Sequence, residues 1–198
     1  MTNILILGAH GRIARVATAL FLADPRANLT LYLRDAVRLG RPGPEDRVRV
    51  VEGDVLDLPR LKAALTGQDV VYANLDGALE PMARAIVKAM AATGVRRLIF
   101  VASMGIYDEV PGQHFGRILD PYRQAARVIE ASDLDYTLLR PAWLDDRDEV
   151  RYGTTQKGEP FKNPTGRVSR KSVADLIVQL AMNPGLDLRC SLGVHHAD

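Results

Sequence analysis

The sequence predicts a single-domain α/β fold built on a doubly wound parallel sheet. Short apolar runs alternate with helix-length segments along most of the chain, and this alternation calls for crossover connections between parallel strands. A glycine-rich turn joins the first predicted strand to the first predicted helix. The length of 198 residues suits one domain, and no internal repeat, low-complexity tract or linker divides the sequence.

The first half of the chain alternates strands and helices. Residues 3–7 form a short apolar run that ends at Gly8, as is typical of a buried parallel strand. Residues 13–22 repeat apolar side chains every three or four positions, so they predict an amphipathic helix. Further strands are predicted at residues 29–33 and 48–51.

The alternation continues in the second half. Helices are predicted at residues 59–65, 80–93 and 121–131, and strands at residues 69–73, 98–102 and 136–139. Residues 145–166 are polar and show no clear periodicity. Ser169 is predicted to cap a helix that runs to about Met182, and a last strand is expected at residues 191–194, followed by a terminal tail with His195 and His196.

The composition excludes several classes of protein. The hydrophobic fraction of 47% and the charged fraction of 25% are those of an ordinary globular domain, which excludes wholesale disorder and fibrous repeats. The 26 Lys and Arg residues against 24 Asp and Glu residues give a net charge of +2. Most of the cations are arginines scattered along the chain, not a basic block, so nucleic acid is not an expected partner.

The single cysteine, Cys190, has no partner for an internal disulfide, which fits a reducing compartment. No Cys and His spacing resembles a zinc site, so no metal is expected. The chain starts with a strand-like segment that lacks a basic region and a cleavage site, and its apolar stretches are short. We therefore expect a cytoplasmic protein that neither spans nor binds a membrane.

The turn at residues 8–14, GAHGRIA, has the features of a phosphate-binding turn. It lies between the first strand and the first helix, where a pyrophosphate meets free backbone N–H groups and the positive end of the helix dipole. Gly8 allows the tight turn, Gly11 lets the phosphate approach the backbone, and Ala14 allows the helix to pack closely on the strand. This position favours a Rossmann-type nucleotide site over a purely structural turn.

Several segments together resemble the atypical short-chain dehydrogenase/reductases of the NmrA-like, NAD(P)H-binding type. They are GAHGRIA at 8–14, LYLRD at 31–35, GDV at 53–55, VASMGIY at 101–107, LDYTLLRPAWL at 134–144 and SRKSVADL at 169–176. These motifs are specific for the family but not for a substrate, because its members include flavin and quinone reductases, sugar-nucleotide enzymes and redox sensors without turnover.

The resemblance implies a set of cofactor contacts. It places Asp54 and Val55 beside the adenine, and Ser103 beside the nicotinamide. Asp54 can instead be a turn carboxylate, and Ser103 can be a hydroxyl that satisfies a strand end. The other expected contacts fall into three sets. The turn contributes Gly8, His10, Gly11, Arg12 and Ile13; the ribose is contacted by Ala73, Asn74 and Leu75; and the carboxamide is contacted by Pro141, Ala142 and Trp143.

The end of the second strand favours NADP(H) over NAD(H). In this fold an acidic residue there binds the ribose hydroxyls of NAD, whereas an arginine accommodates the 2′-phosphate of NADP. Arg34 occupies that end, and Arg38 and Arg12 can join it in binding phosphate. Asp35 keeps NAD(H) open, because a shift of one residue would present a carboxylate; a solvated surface arginine is the other alternative.

The usual catalytic triad of short-chain dehydrogenases is absent. That triad is a serine, a tyrosine and a lysine four residues after the tyrosine, and the lysine lowers the pKa of the tyrosine. Twelve residues beyond Ser103, where the tyrosine often lies, stands Phe115, and no tyrosine of this chain has a lysine four residues later. Ser103, Tyr122 and Tyr107 are the remaining catalytic candidates.

These observations favour an NADP(H)-dependent oxidoreductase that transfers hydride to a flavin, a quinone or a similar conjugated acceptor. Such acceptors can take their proton from water, so their reduction does not require the tyrosine and lysine of the usual triad. The alternative is a dinucleotide-binding sensor that acts on a protein partner, and the third hypothesis is a sugar-nucleotide epimerase or dehydratase. The substrate or partner region is expected in the loops at 104–120 and 144–168, in a monomer or a homodimer.

Overall fold

The computed structural model describes residues 1–40 and 42–197, which form a central sheet covered by helices on both faces. The described residues contain ten strands, eight of them in this sheet: β1 (Thr2–Leu7), β2 (Ala27–Leu33), β3 (Val48–Glu52), β4 (Val70–Ala73), β5 (Arg97–Val101), β6 (Asp135–Pro141), β7 (Trp143–Asp145), β8 (Gly153–Gln156), β9 (Arg167–Ser169) and β10 (Cys190–His195). The central sheet has the order β3-β2-β1-β4-β5-β6-β10-β8. All neighbours in it are parallel except β10 and β8, which pair antiparallel.

Five α-helices complete the two outer layers. They are α1 (Arg12–Ala23), α2 (Leu58–Leu65), α3 (Leu79–Thr93), α4 (Asp120–Glu130) and α5 (Arg170–Met182). Helices α1 and α5 pack together on one face of the sheet, and α2, α3 and α4 pack side by side on the other. The doubly wound α/β fold is therefore confirmed. No helix within the described part of the chain is long and apolar enough to cross a membrane.

Strand β1 shows why both faces need helices. Ile4 and Ile6 belong to the apolar core beneath α1 and α5, whereas Leu5 and Leu7 belong to the core on the other face. Successive side chains of a strand point to opposite faces, so a continuous apolar run is stable only where both faces are covered. All four side chains are fully buried.

The ends of α5 and α3 follow the local rules of the sequence. The Ser169 hydroxyl accepts a hydrogen bond of 2.9 Å from the backbone N–H of Ser172, so the predicted cap is confirmed. Helix α3 ends at Gly94, whose φ of 76° is the left-handed conformation that glycine adopts without strain.

Residues 145–166 contain more structure than their lack of periodicity indicated. Strand β8 lies inside this segment and pairs with β10 at the sheet edge, and the strands at its two ends, β7 and β9, pair in a separate two-stranded parallel sheet. These strands have three or four residues each, too few for a period-two pattern to stand out. The expected terminal tail is also wrong at His195, which ends β10, pairs with Gly153 and is buried.

Two short 3-10 turns, Ala36–Leu39 and Gly116–Leu119, were not predicted either. The first follows β2, and the second leads into α4. Both occur where the chain passes over the carboxyl ends of the strands, so they shape the edge at which a ligand would bind.

The strand order creates a crevice between β1 and β4. From β1 the chain proceeds to β2 and β3 on one side, then crosses to β4, β5 and β6 on the other. The connections on the two sides leave in opposite directions, and ligands of open α/β sheets bind at the carboxyl edge of this switch point.

A buried ion pair holds the other half of that edge. The Arg140 side chain is 0% exposed and pairs with Glu109, which is 6% exposed. Arg140 also donates hydrogen bonds to the Ser191 hydroxyl at 3.1 Å and to the Thr155 carbonyl at 3.2 Å. Strands β6, β8 and β10 are thereby tied to the loop after β5.

We expect that breaking this pair destabilises the fold strongly. Arg140→Leu leaves the Glu109 carboxylate buried without its cation, which should lower the free energy of unfolding by about 3–5 kcal/mol. Urea unfolding followed by tryptophan fluorescence measures this loss. The double variant Arg140→Leu/Glu109→Leu should be more stable than Arg140→Leu alone, and a loss of less than about 1 kcal/mol in the single variant would contradict the assigned role.

Candidate functional site

Three adjoining clefts follow the carboxyl edge of the sheet. The first lies over β1, β2 and β4 and has a volume of about 350 Å³. The second, of about 440 Å³, shares Asn74 and Leu75 with the first. The third, of about 470 Å³, shares Ser103, Tyr122 and the segment 141–143 with the second. Together they form one trough along the edge.

The glycine turn that lines the first cleft fits a pyrophosphate. Gly8 has a φ of 78°, and a Cβ there would overlap the backbone carbonyl oxygen of Asn74. A Cβ at Gly11 would overlap the side-chain amide of the same residue. Gly11 is the N-cap of α1 and offers no side chain to the first helical turn, which carries no acidic residue. The N-terminus of α1 thus borders the cleft, and among the described residues no side chain caps it, so its positive dipole end is available to an anion.

The far end of the first cleft is built by the turn after β3. The Tyr32 hydroxyl donates a hydrogen bond of 2.8 Å to the backbone carbonyl of Asp54, and burial raises the pKa of Tyr32. The Asp54 carboxylate accepts a hydrogen bond of 2.8 Å from the N–H of Leu56, so it is a turn carboxylate that also lines the cleft. Val55 is buried beside it, in a position that suits the wall of an adenine site.

Two arginines lie at the end of β2. Strand β2 ends at Leu33, so Arg34 is the first residue beyond it. Arg34, Asp35 and Arg38 all line the first cleft and are exposed, and neither arginine has an ion-pair partner within residues 1–40 and 42–197. Arg12, by contrast, pairs with Asp146 and does not line this cleft.

The other proposed contacts are divided between the clefts. His10 lines the first cleft and Ile13 the second, and Asn74 and Leu75 lie between the two. Ala73, at the end of β4, is buried and lines neither.

Ser103 stands where the second and third clefts meet. It follows β5, and its hydroxyl donates a hydrogen bond of 3.1 Å to the backbone carbonyl of Met104. The side chain is half-buried, so the hydroxyl is within reach of a molecule in either cleft. Pro141, Ala142 and Trp143 form the facing wall.

Tyr122, on α4, also lines both of these clefts. Burial, and secondarily the nearby charge of Asp76, raises the pKa of its hydroxyl above the ordinary value of 10.0. No lysine lines any of the three clefts within the described residues, so no ammonium group offsets this shift. The hydroxyl is therefore protonated at neutral pH and can donate a hydrogen bond but not act as a base.

Tyr107, the other candidate tyrosine, points away from the trough. Its hydroxyl donates a hydrogen bond of 2.7 Å to Glu130, and the ammonium group of Lys157 lies 4.3 Å from the centre of its ring. Burial raises its pKa. The structure does not bring Tyr107 together with Ser103 and Tyr122 in either cleft.

Arg123 is a structural residue of the site that sequence reasoning missed. It donates hydrogen bonds to the carbonyls of Gly105, Ile106 and Gly116, and it pairs with Asp108 and Asp120 at 3.1 Å. Its partners come from both ends of the 104–120 loop, a convergence that no local pattern indicates. The loop is held as one wall of the third cleft.

Comparison with known proteins shows the family to which the chain belongs. A family model described as NAD(P)H-binding matches residues 8–184. The chain belongs to this NAD(P)H-binding family. The matched region begins at Gly8 and includes all three clefts. The resemblance to atypical short-chain dehydrogenase/reductases is confirmed, because the structural neighbours are short-chain dehydrogenase/reductases and NAD(P)-binding Rossmann proteins.

Two solved structures are similar over nearly the whole NAD(P)H-binding chain. A Rossmann-fold NAD(P)-binding family protein from Shigella flexneri is 42% identical, has a TM-score of 0.88 and covers 99% of this chain and 94% of its own. A short-chain dehydrogenase/reductase from Veillonella parvula DSM 2008, in complex with NADP, is 31% identical and has a TM-score of 0.84. The match covers 98% of this chain and 94% of the Veillonella chain.

Two relatives carry names that refer to chemistry. A Bacillus subtilis protein named as an uncharacterized sugar epimerase is 27% identical over 196 residues, which cover 89% of this chain and 86% of that protein. A (4-alkanoyl-5-oxo-2,5-dihydrofuran-3-yl)methyl phosphate reductase from Streptomyces griseus is 32% identical over 139 residues, 70% of this chain and 46% of that enzyme. This chain therefore spans less than half the length of the second relative.

We expect Gly11→Val to weaken NADPH binding by at least about tenfold, because the branched side chain would overlap Asn74 and fill the space before the first turn of α1. Titration of NADPH fluorescence measures the affinity. Gly185→Val is the matched control, since a Cβ at Gly185 meets no atom within 4 Å. Unchanged affinity in a folded Gly11→Val variant would refute the assignment of the turn.

Proposed function

We propose that the protein is an NADP(H)-dependent oxidoreductase that transfers hydride to a small conjugated acceptor such as a flavin or a quinone. The observation that carries this proposal is the continuity of the trough. The cleft with the phosphate-binding turn leads to Ser103, and Ser103 borders an apolar cleft large enough for a second molecule. Membership in the NAD(P)H-binding family and the reductase among the relatives support it.

The preference for NADP(H) rests on Arg34 and Arg38. Both line the first cleft at the end of β2, where the ribose of a dinucleotide lies in this fold. Their guanidinium groups have no carboxylate partner among the described residues, so they are free to bind a phosphate with charge-assisted hydrogen bonds. Asp35 lines the same cleft and would oppose a second negative charge, but two arginines outweigh it.

With cofactor and acceptor bound, the main role of the chain's own residues would be to orient the two molecules, and proton transfer would be a minor role. The reduced nicotinamide supplies a hydride when bound. Tyr122 can donate a hydrogen bond to an acceptor oxygen or nitrogen, and Ser103 can do so when its hydroxyl turns away from the Met104 carbonyl. The apolar wall of the cleft would cover the ring faces. No lysine lines the clefts within the described residues to assist a tyrosine acid, so in this proposal the proton comes from water at the open side of the cleft.

Two other functions would be indicated by different results of the same experiments. A redox sensor would bind NADPH tightly and turn over no acceptor. A sugar-nucleotide epimerase, as the name of the Bacillus subtilis relative suggests, would place a nucleoside diphosphate in the third cleft, yet that cleft has no cationic lining residue within the described chain. Steady NADPH consumption with naphthoquinone or FMN supports the oxidoreductase, and its absence with tight NADPH binding supports the sensor.

We expect Arg34→Ala to weaken binding of NADPH while largely sparing NADH. Loss of a charge-assisted phosphate contact costs roughly 1.5–3 kcal/mol, or about ten- to a hundredfold in affinity. Fluorescence titration with both cofactors gives the two constants. Arg49→Ala is the charge-matched control, because Arg49 is an exposed residue of the edge strand β3 and does not line the cleft. Equal losses for both cofactors would show that Arg34 does not bind the 2′-phosphate.

We expect Ser103→Ala to reduce the turnover of a quinone about tenfold, because its hydroxyl borders the cleft and can turn from the Met104 carbonyl to donate a hydrogen bond to the acceptor. Tyr122→Phe should cost less than about a hundredfold, since a tyrosine without a lysine partner gives little general acid catalysis. Tyr107→Phe, whose hydroxyl binds Glu130 outside the clefts, should leave turnover unchanged. The turnover of the three variants is measured as the rate of NADPH oxidation at saturating cofactor.

A thousandfold loss in Tyr122→Phe with unchanged NADPH affinity would contradict protonation by water and would favour a tyrosine-dependent carbonyl reductase. Thermal unfolding of each variant serves as the control for folding.

A further inference from the structure

The lining of the third cleft carries information about the acceptor. The cleft adjoins Ser103 and is walled by α3, α4 and the 104–120 loop. Its large apolar lining residues are Leu79, Met104, Phe115, Ile118, Leu119 and Trp143. Such a surface binds a flat apolar ring system through burial of its faces.

The charges of this cleft are of one sign. Asp76 is the one charged residue among those that line it. The Asp76 carboxylate accepts a hydrogen bond of 2.8 Å from the N–H of Gly77, and no cation pairs with it among the described residues. Asp76 is exposed at the border between the first and third clefts and lines both, and its negative charge contributes to the raised pKa of Tyr122.

The arginines nearest to this cleft are bound to other groups. Arg123 donates hydrogen bonds to backbone carbonyls of the 104–120 loop and forms ion pairs with two of its carboxylates. Arg117 lies 3.7 Å from Asp120, and its side chain is almost fully exposed to solvent and does not line the cleft. Arg170 lines the second cleft and pairs with Asp146 at 2.8 Å. An anionic substituent in the third cleft would therefore meet Asp76 without a compensating cation.

Two large apolar side chains are exposed at the mouth of the cleft. Trp143 is 50% exposed and Ile118 is 76% exposed, although both line the same concave surface. Exposed aromatic and aliphatic groups that face one cavity mark a binding site more often than scattered surface residues do. Trp143 offers an indole ring on which a conjugated ring can stack.

We propose that the acceptor is an uncharged planar quinone, and that acceptors bearing phosphate, sulfonate or carboxylate groups are disfavoured in this cleft. This inference rests on the proposed function and narrows its acceptor from any conjugated compound to a neutral one. Reduction of such a quinone takes one hydride from NADPH and one proton from water and yields NADP⁺ and the hydroquinone. No other oxidant or reductant is needed.

The test compares naphthoquinone with naphthoquinone sulfonate, which differ in charge. Binding is read from quenching of Trp143 fluorescence in the presence of NADP⁺, because Trp143 is the single tryptophan of the chain and lies in the cleft. Turnover is read separately from NADPH oxidation. We expect saturable quenching at a concentration at least about tenfold lower for naphthoquinone than for its sulfonate.

The Asp76→Asn variant tests the cause of this selectivity. Removal of the carboxylate should reduce the preference for the neutral quinone by about twofold to fivefold, as expected for one exposed charge at short range in water. The comparison of two acceptors within each variant cancels any effect on NADPH binding. Asp46→Asn, which removes the same charge from an exposed turn that does not line the cleft, should leave the preference unchanged.

The outcomes separate the two proposals. Equal or tighter binding of the sulfonate or of FMN, or an unchanged preference in Asp76→Asn, overturns the neutral-acceptor inference while the reductase proposal stands. Selective quenching by naphthoquinone without any NADPH oxidation overturns the reductase proposal, and the cleft is then a regulatory ligand site. Selective quenching together with NADPH oxidation supports both.

Discussion

The buried ion pair of Arg140 and Glu109 is the constraint on which the geometry of the site depends. Arg140 directly precedes the segment that faces Ser103, and Glu109 accepts hydrogen bonds from the N–H groups of Gly105 and Tyr107 at 3.0 and 2.9 Å. One pair therefore sets the distance between the loop after β5 and the end of β6. Because neither charge can leave the interior without a large loss of energy, this spacing has little freedom.

Arg123 has a related role at the outer side of the same loop. Its guanidinium group donates to three backbone carbonyls, so the loop needs no regular secondary structure to keep its shape. Two arginines, one buried and one partly exposed, thus replace the strand pairing that holds the rest of the domain. The apolar cleft has a firm wall although the loop that forms it is irregular.

The trough changes in character along its length. Arginines and the positive end of α1 lie at the end suited to phosphates, whereas the opposite end is apolar and has no cationic lining residue within the described part of the chain; Asp76 lies between the two and lines both. A single binding surface can therefore hold a highly charged dinucleotide and a neutral ring side by side. The charged groups of each ligand avoid the region that would disfavour them, which favours one orientation of the cofactor.

The sequence by itself determined the alternation of strands and helices, the position of the glycine turn between β1 and α1, and the family, because these depend on local periodicity and on backbone conformations that few residues allow. It did not separate Tyr122 from Tyr107, and it missed the ion pair of Arg140 and Glu109 and the burial of His195. Only the tertiary structure decided these points. A side chain's partners are set by which strand ends meet at the sheet edge, and residues far apart in the chain meet there.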